Sequence, residues 1–235
     1  MACRPAVCGA KGGEADILSH FAEAAVTDIA KDLLFGELRH RMKNLFAVIQ
    51  SLAARADTEG RSAEEYRNAF LGRLNALIDA EELAFAERED VGFKELLERI
   101  FAPYSFDPGA VVIEPGEAVL LAPRTIMALG LILHEMATNA AKYGALSVPE
   151  GQVRIAWATA KDSTDLKIRW IENGGPTVAA PAAPSYGTTL IQSTATYNLR
   201  GHVELDYAAD GLQAEIVIPL DQVAPELTAH DVDDA

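Results

Sequence analysis

The chain has 235 residues, 49% of them apolar, enough for one large domain or two small ones with a proper core. Its 35 acidic and 20 basic side chains give a net charge of -15. That argues against DNA, RNA or an anionic membrane surface as partners, because their phosphates ask for a basic face. Cys3 and Cys8 are too few for a disulfide framework and lack a nearby histidine pair for zinc, so a reducing, cytoplasmic setting is expected. No apolar run reaches the roughly 20 residues of a membrane span, and the first residues hold no apolar signal-peptide core.

Residues 1–13 carry no pattern and are expected to be disordered. Residues 14–56 read as helical. Stepping 100° per residue from Leu38 brings Met42, Leu45, Ile49 and Leu52 within about 40° of one line, a stripe of coiled-coil width. His40 falls about 200° away and faces outward. Imidazole is partly uncharged near neutral pH and is then a nucleophile. Arg41 and Lys43 stand beside it, with side chains suited to phosphate oxygens. Phe46 and Ala47 lie outside the stripe below His40, a candidate apolar landing patch. Taken alone, an exposed histidine with basic neighbours is ordinary surface.

A second helix starts at Ser62-Ala-Glu-Glu65, a capping box in which Ser62 and Glu65 satisfy each other's free N–H groups. Tyr66, Phe70, Leu74, Leu77 and Ile78 follow at helical spacing, so residues 14–88 read as a helical hairpin. After a break near residues 87–92 the pattern changes. A short helix is expected over Phe93–Phe101, then a hairpin of Val111–Ile113 with Ala118–Leu121 around Pro115-Gly116. Pro123 opens a strong helix, placed where its missing N–H costs nothing, and Gly144 ends it as a C′ residue. Strands follow at Gln152–Thr159 and Asp165–Glu172, then a Gly/Pro/Ala loop and a helix over about residues 188–198. His202–Tyr207 and Gln213–Pro219 close a hairpin around Asp210-Gly211. The acidic tail from residue 221 to 235 is expected to be disordered. The organisation is therefore all-helical over 14–88 and α/β over 89–220.

On the helix from Pro123, Glu135, Thr138, Asn139 and Lys142 share one face, while Leu129, Leu131, Ile132, Leu133 and Met136 supply the buried side. An Asn oxygen suits magnesium, a Lys one turn on meets phosphate, and a Glu one turn back orients a water or accepts a proton. A solvated helix face looks similar. In Glu172-Asn173-Gly174-Gly175-Pro176, a carboxylate able to accept from the adenine amino group precedes glycines that allow close approach. Gly187-Thr188 opens a helix whose N-terminus is placed to receive phosphate.

In this order and spacing the three segments resemble the HWE-type sensor histidine kinases, over about residues 32–220. The phosphoacceptor box resembles Glu37-Leu-Arg-His40-Arg41-Met-Lys43-Asn44, and the N box resembles His134 to Ser147. The defining His and Trp-x-Glu match His134 and Trp170-Ile-Glu172, and the second glycine box resembles Tyr186 to Ile191. The resemblance implies a helical dimerisation and phosphotransfer hairpin, forming a four-helix bundle as a homodimer, followed by a Bergerat-type (GHKL) α/β sandwich. It implies ATP and Mg2+ as cofactors, His40 as phosphoacceptor, Asn139 as magnesium ligand and Lys142 near phosphate. Glu172 would sit at adenine, where most histidine kinases use Asp, with Gly174, Gly175, Gly187 and Thr188 completing the nucleotide site. Many histidine kinases carry an acid directly after the phosphoacceptor; here that place holds Arg41, so Glu135 is the candidate base. His134 is assigned a supporting role. The partner implied is the receiver domain of a response regulator, docking near Arg41, Lys43 and Phe46.

Two features depart from the pattern. Fewer than forty residues precede His40, too few for a PAS-like sensor. The chain is then a fragment, receives its signal from a separate sensor protein, or acts as a phosphorelay intermediate. The segment Thr177–Ser185 is also short for an ATP lid. Three functions compete: an ATP-dependent histidine autokinase, a histidine phosphotransferase with an idle ATP site, and an ATPase or anti-sigma-type kinase. The last leaves the His40 box unexplained. The set Glu135, Asn139, Lys142, Glu172 and Gly174-Gly175 favours the autokinase.

Overall fold

Capping decides where the first well-defined helix begins. Ser62 N–H donates to Glu65 Oε2 at 2.8 Å and Glu65 N–H donates to Ser62 Oγ at 3.2 Å, the reciprocal box expected. The structure is a computed structural model that describes residues 62–84, 91–104, 107, 109–159, 164–178 and 185–223, with 35, 36, 39, 42, 43, 45–50, 52 and 53 of the N-terminal part. The chain divides into two compact units, Met1–Ala54 and Arg55–Ala235.

The described residues between 35 and 53 are helical. Met42 is 48% and Phe46 55% exposed, and Lys43 and Ala47 are exposed as well. Leu38, His40, Arg41 and Asn44 lie outside the described residues, as do residues 1–34 and 54–61.

In the second unit the order is α1 (Ala63–Ala84), α2 (Phe93–Phe101), β1 (Val111–Ile113), α3 (Pro123–Tyr143), β2 (Gln152–Thr159), β3 (Asp165–Asn173), α4 (Tyr186–Ser193), β4 (His202–Ala208), β5 (Gly211–Pro219) and α5 (Leu220–Val223). The strands form one sheet in the order β1-β2-β3-β5-β4. β1 runs parallel to β2 and every other pairing is antiparallel. A helical part followed by a mixed α/β sheet is therefore the architecture.

Alternation along the strands fixes which face is buried. On β3, Leu166, Ile168, Trp170 and Glu172 point inward while Lys167 and Arg169 face solvent. On β2 the inward residues are Val153, Ile155 and Trp157. The helices cover this face. Leu129, Leu131, Ile132, Leu133 and Met136 of α3 are all buried, as periodicity predicts. Phe93 meets Trp157 edge-on with ring centroids 5.2 Å apart, and Phe101 lies 5.6 Å from Trp170. Ala80, Leu83 and Ala84 of α1 join the same core. No helix among the described residues is long and apolar enough to cross a membrane.

The structure differs from three sequence expectations. The hairpin at Pro115-Gly116 does not form. Val111–Ile113 pairs in parallel with Val153–Ile155, and the segment after it runs beside Trp157. The indole N–H donates to Glu117 O at 2.9 Å, and a Cβ on Gly116 would stand 2.4 Å from that ring. A longer, better-buried strand outcompetes the short local partner. On α1, Leu77 is buried, Ile78 is 44% exposed and Tyr66, Phe70 and Leu74 are half-buried within the single chain. The buried line is Arg73, Leu77, Ala80, Leu83 and Ala84, because α1 packs on α3. The helix after the loop begins at Tyr186 and ends in a π turn over Thr194–Asn198. The short helix α5 carries ordered chain to Val223, past the point where the tail was expected: Gln222 and Val223 are buried, and Val223 O accepts from Ala122 N–H at 2.6 Å.

Candidate functional site

Helix α3 carries the polar strip. Its first turn is held by Pro123 at the start and by Thr125, whose hydroxyl donates to Gln222 O. From there 3.6 residues per turn place His134, Glu135, Thr138, Asn139 and Lys142 along one side, and all five line a single cavity of about 420 Å³. Glu172 reaches the same cavity from β3, and Gly187 and Thr188 reach it from α4. Tyr207 and Leu212 close it from the β4–β5 hairpin. That volume suits a small organic ligand of nucleotide size.

Glu172 is the end member of the inward row of β3 and is 3% exposed. Its Oε2 accepts from Ala145 N–H at 2.8 Å and its Oε1 accepts from the Trp170 indole at 3.1 Å. Burial pushes its carboxyl above the ordinary carboxylate value, and the two N–H donors work against that. Gly144 leaves the space it occupies. A Cβ at Gly144 would stand 2.0 Å from Oε2. Gly144 ends α3 as expected, its N–H bonding Asn139 O and Ala140 O, but at φ -112 and ψ -151 rather than in the left-handed region. Its smallness, not its backbone freedom, is what the site uses.

Gly174 and Gly175 do not line the cavity. Gly174 adopts φ +69, and a Cβ there would stand 2.8 Å from Glu150 O; on Gly175 it would stand 2.8 Å from Ala145 Cα. The pair packs β3's exit against the loop that supplies the Ala145 N–H. At the other end, Ser185 caps α4. Thr188 N–H donates to its Oγ at 3.2 Å. Residues 179–184, most of the short loop ahead of α4, lie outside the described residues.

Glu135 is 4% exposed. Both its oxygens accept from Arg73 of α1, Oε1 from Nε at 2.7 Å and Oε2 from Nη2 at 2.9 Å. The Arg73 guanidinium also lies over the Tyr186 ring, 4.5 Å from its centroid. Asn68, Ala69, Gly72 and Arg73 form the cavity wall on this side. Arg73 escapes a reading by motif. The available signal was its place on a line of Ala69, Ala76, Leu77, Ala80 and Leu83, where a charge among small and apolar residues needs a buried partner.

His134 is half-buried, and its Nε2 lies 3.4 Å from Thr138 Oγ1. Burial is the main cause that lowers its pKa below the usual 6.5. Glu135 works against that; Arg73 and Lys142 add to it, and Asp79 opposes it.

The family description that matches the chain is HWE histidine kinase, over residues 37–116. Over those residues the chain resembles that family. It is 36% identical over 217 residues to blue-light-activated histidine kinase 1 of Erythrobacter litoralis, covering 90% of this chain and 59% of that protein. Against the blue-light-activated histidine kinase of Brucella anthropi it is 31% identical, covering 90% of this chain and 44% of the relative. The chain thus spans roughly half the length of these relatives. In structure it is similar to the blue-light activated histidine kinase of Erythrobacter litoralis, with TM-score 0.58 and 19% identity over 80% of this chain and 59% of that one. The isolated histidine kinase domain of that protein gives TM-score 0.51 and 18% identity over 75% of this chain and 84% of the other. These two likenesses concern the fold.

Proposed function

We propose that the chain is the catalytic core of a two-component histidine kinase, which phosphorylates His40 from Mg-ATP and passes the phosphoryl group to an aspartate of a response regulator. The observation that carries this reading is the convergence of Asn139 and Lys142 from α3 and Glu172 from β3 on one cavity of nucleotide size. The donor set fits. Glu172 offers a buried carboxylate to the adenine amino group, with Gly144 leaving room beside it. Asn139 would supply an oxygen to magnesium, the choice expected for a hard cation. Lys142 and the capped start of α4 at Gly187 and Thr188 would meet phosphate oxygens. Gly174 and Gly175 act indirectly, by holding the loop that fixes Glu172.

In the proposed reaction an imidazole nitrogen of His40 forms a bond to the terminal phosphorus, the bond to the bridging oxygen breaks, and ADP leaves. Glu135 takes the imidazole proton, its carboxylate held in orientation by Arg73. The receiver aspartate then attacks the phosphohistidine, and Arg41, Lys43 and Phe46 form the docking flank. The exposed Leu71 and Ile78 of α1, with half-buried Phe70 and Leu74 beside them, are an apolar face suited to a second copy. A four-helix bundle in a homodimer is the proposed arrangement, in the cytoplasm, with input from a separate sensor protein or a preceding sensor segment. The test is incubation with γ-labelled ATP and Mg2+. Label that is lost in acid, and absent in His40→Gln, is expected; acid-stable label or none refutes the reading, and label acquired only from a phosphorylated receiver would mark a phosphotransferase.

A further inference from the structure

Helix α1, which precedes the first strand of the sheet and packs on α3, supplies a wall of the nucleotide cavity. Within that wall Arg73 is charged and 8% exposed. Its two bonds to Glu135, at 2.7 and 2.9 Å, reach α3 one turn before Asn139. Its stacking on Tyr186, 4.5 Å to the ring centroid, reaches the first residue of α4, just ahead of Gly187 and Thr188. There is little slack in this junction. A Cβ on Gly187 would stand 3.0 Å from Glu135 Oε2 and 3.6 Å from Asn139 Nδ2. One guanidinium thus fastens α1 to both helices at the phosphate end of the cavity.

A planar guanidinium binds a carboxylate in a fixed two-pronged geometry and stacks on an aromatic face; an ammonium does neither. Breaking a buried pair of this kind strands a charge, so α1 cannot slide on α3 while the pair holds. In the chain, α1 is joined by residues 54–62 to the segment that carries His40.

We propose that Arg73 is a positioning residue that couples occupancy of the nucleotide cavity to the docking of α1. A ligand that settles α3 and α4 against each other sharpens the seat of the Glu135 carboxylate and the Tyr186 ring, and Arg73 carries that order into α1. This inference rests on the nucleotide reading of the cavity and not on the identity of the phosphoacceptor.

The test is amide hydrogen exchange of residues 63–84 in the full chain, with and without saturating Mg-ADP, beside the calorimetric affinity for Mg-ADP. In the parent, Mg-ADP is expected to slow exchange in α1 by about fivefold or more. Arg73→Lys keeps the charge; it is expected to bind Mg-ADP within about threefold of the parent yet lose more than half of the slowing. If circular dichroism shows that this variant does not fold, Tyr186→Leu keeps the ion pair and removes the ring on which the guanidinium stacks, and it should bind Mg-ADP while losing part of the slowing. Equal slowing in parent and variant, or no slowing in a parent that binds Mg-ADP, overturns the inference. A parent that binds and slows but forms no phosphohistidine removes the kinase reading and leaves the coupling; a parent that does not bind Mg-ADP removes both.

Discussion

The indole N–H of Trp170 donates to Oε1 of Glu172 at 3.1 Å, two residues along the same strand. Strand geometry puts both side chains on the inward face, so the Trp-x-Glu spacing is itself a hydrogen-bonding device. The carboxyl is buried deeply enough to raise its pKa, and the indole and Ala145 N–H groups lower it again. A raised folded value means that the folded chain keeps a proton the unfolded chain releases. This group therefore favours the fold at low pH, and that contribution is lost as pH rises through the raised value. An adenine amino group donating to the carboxylate, as proposed, would select the ionised form. Nucleotide affinity should rise with pH until the raised folded value is passed and level off beyond it. Trp170→Phe removes one donor, so the rise should move to higher pH and affinity at neutral pH should fall by about tenfold. Calorimetric titration of Mg-ADP across pH checks this; an unmoved profile would refute it.

Gly144→Ala should damage the same end of the cavity by sterics alone. Its Cβ would press on Glu172 Oε2 from 2.0 Å, and the carboxyl cannot retreat without losing Ala145 N–H. The expected cost is about 1–3 kcal/mol of fold stability, together with weaker nucleotide binding. Denaturant melts and fluorescent-nucleotide binding measure the two effects.

His134 predicts an acid limb. Because burial lowers its folded pKa below 6.5, the unfolded chain takes up the proton first. The stability it contributes is full above about pH 6.5 and is lost as pH falls through the folded value. His134→Gln should flatten the fall of melting temperature between neutral pH and about pH 5. A slope unchanged by the substitution would count against it.

Asn139→Ala should weaken Mg-nucleotide binding by more than about tenfold while leaving the melting temperature of the ligand-free chain nearly unchanged. Asn139 lines the cavity and lies outside the buried core, so only the ligand-dependent readout should move.

Phe46→Asp should slow transfer to a receiver domain and spare nucleotide affinity. Phe46 is 55% exposed, and an exposed apolar ring beside a reactive group is suited to a docking surface. Stopped-time transfer from the phosphorylated chain to its regulator measures the first, and Mg-ADP titration the second.

What was legible from the residues alone was local. The capping box at Ser62 and Glu65, the Pro123 start and Gly144 stop of α3, and the strand run from Asp165 to Glu172 depend on neighbours within a turn or two. The common face of Glu135, Asn139 and Lys142 follows from helical pitch, and Glu172 followed from its motif. Where a choice depended on a distant segment, the residues were silent. Val111–Ile113 had to choose between a nearby partner and β2, forty residues on. Arg73 looked like one more charge on a helix until α3 was laid against it with Glu135 facing inward. Gly144 read as a helix stop, and only the approach of Glu172 from another strand gave its missing Cβ a purpose. Periodicity and capping are properties of a single segment and survive in the sequence; the pairing of buried charges and the vacancy a side chain fills belong to two segments at once, and only their packing decides them.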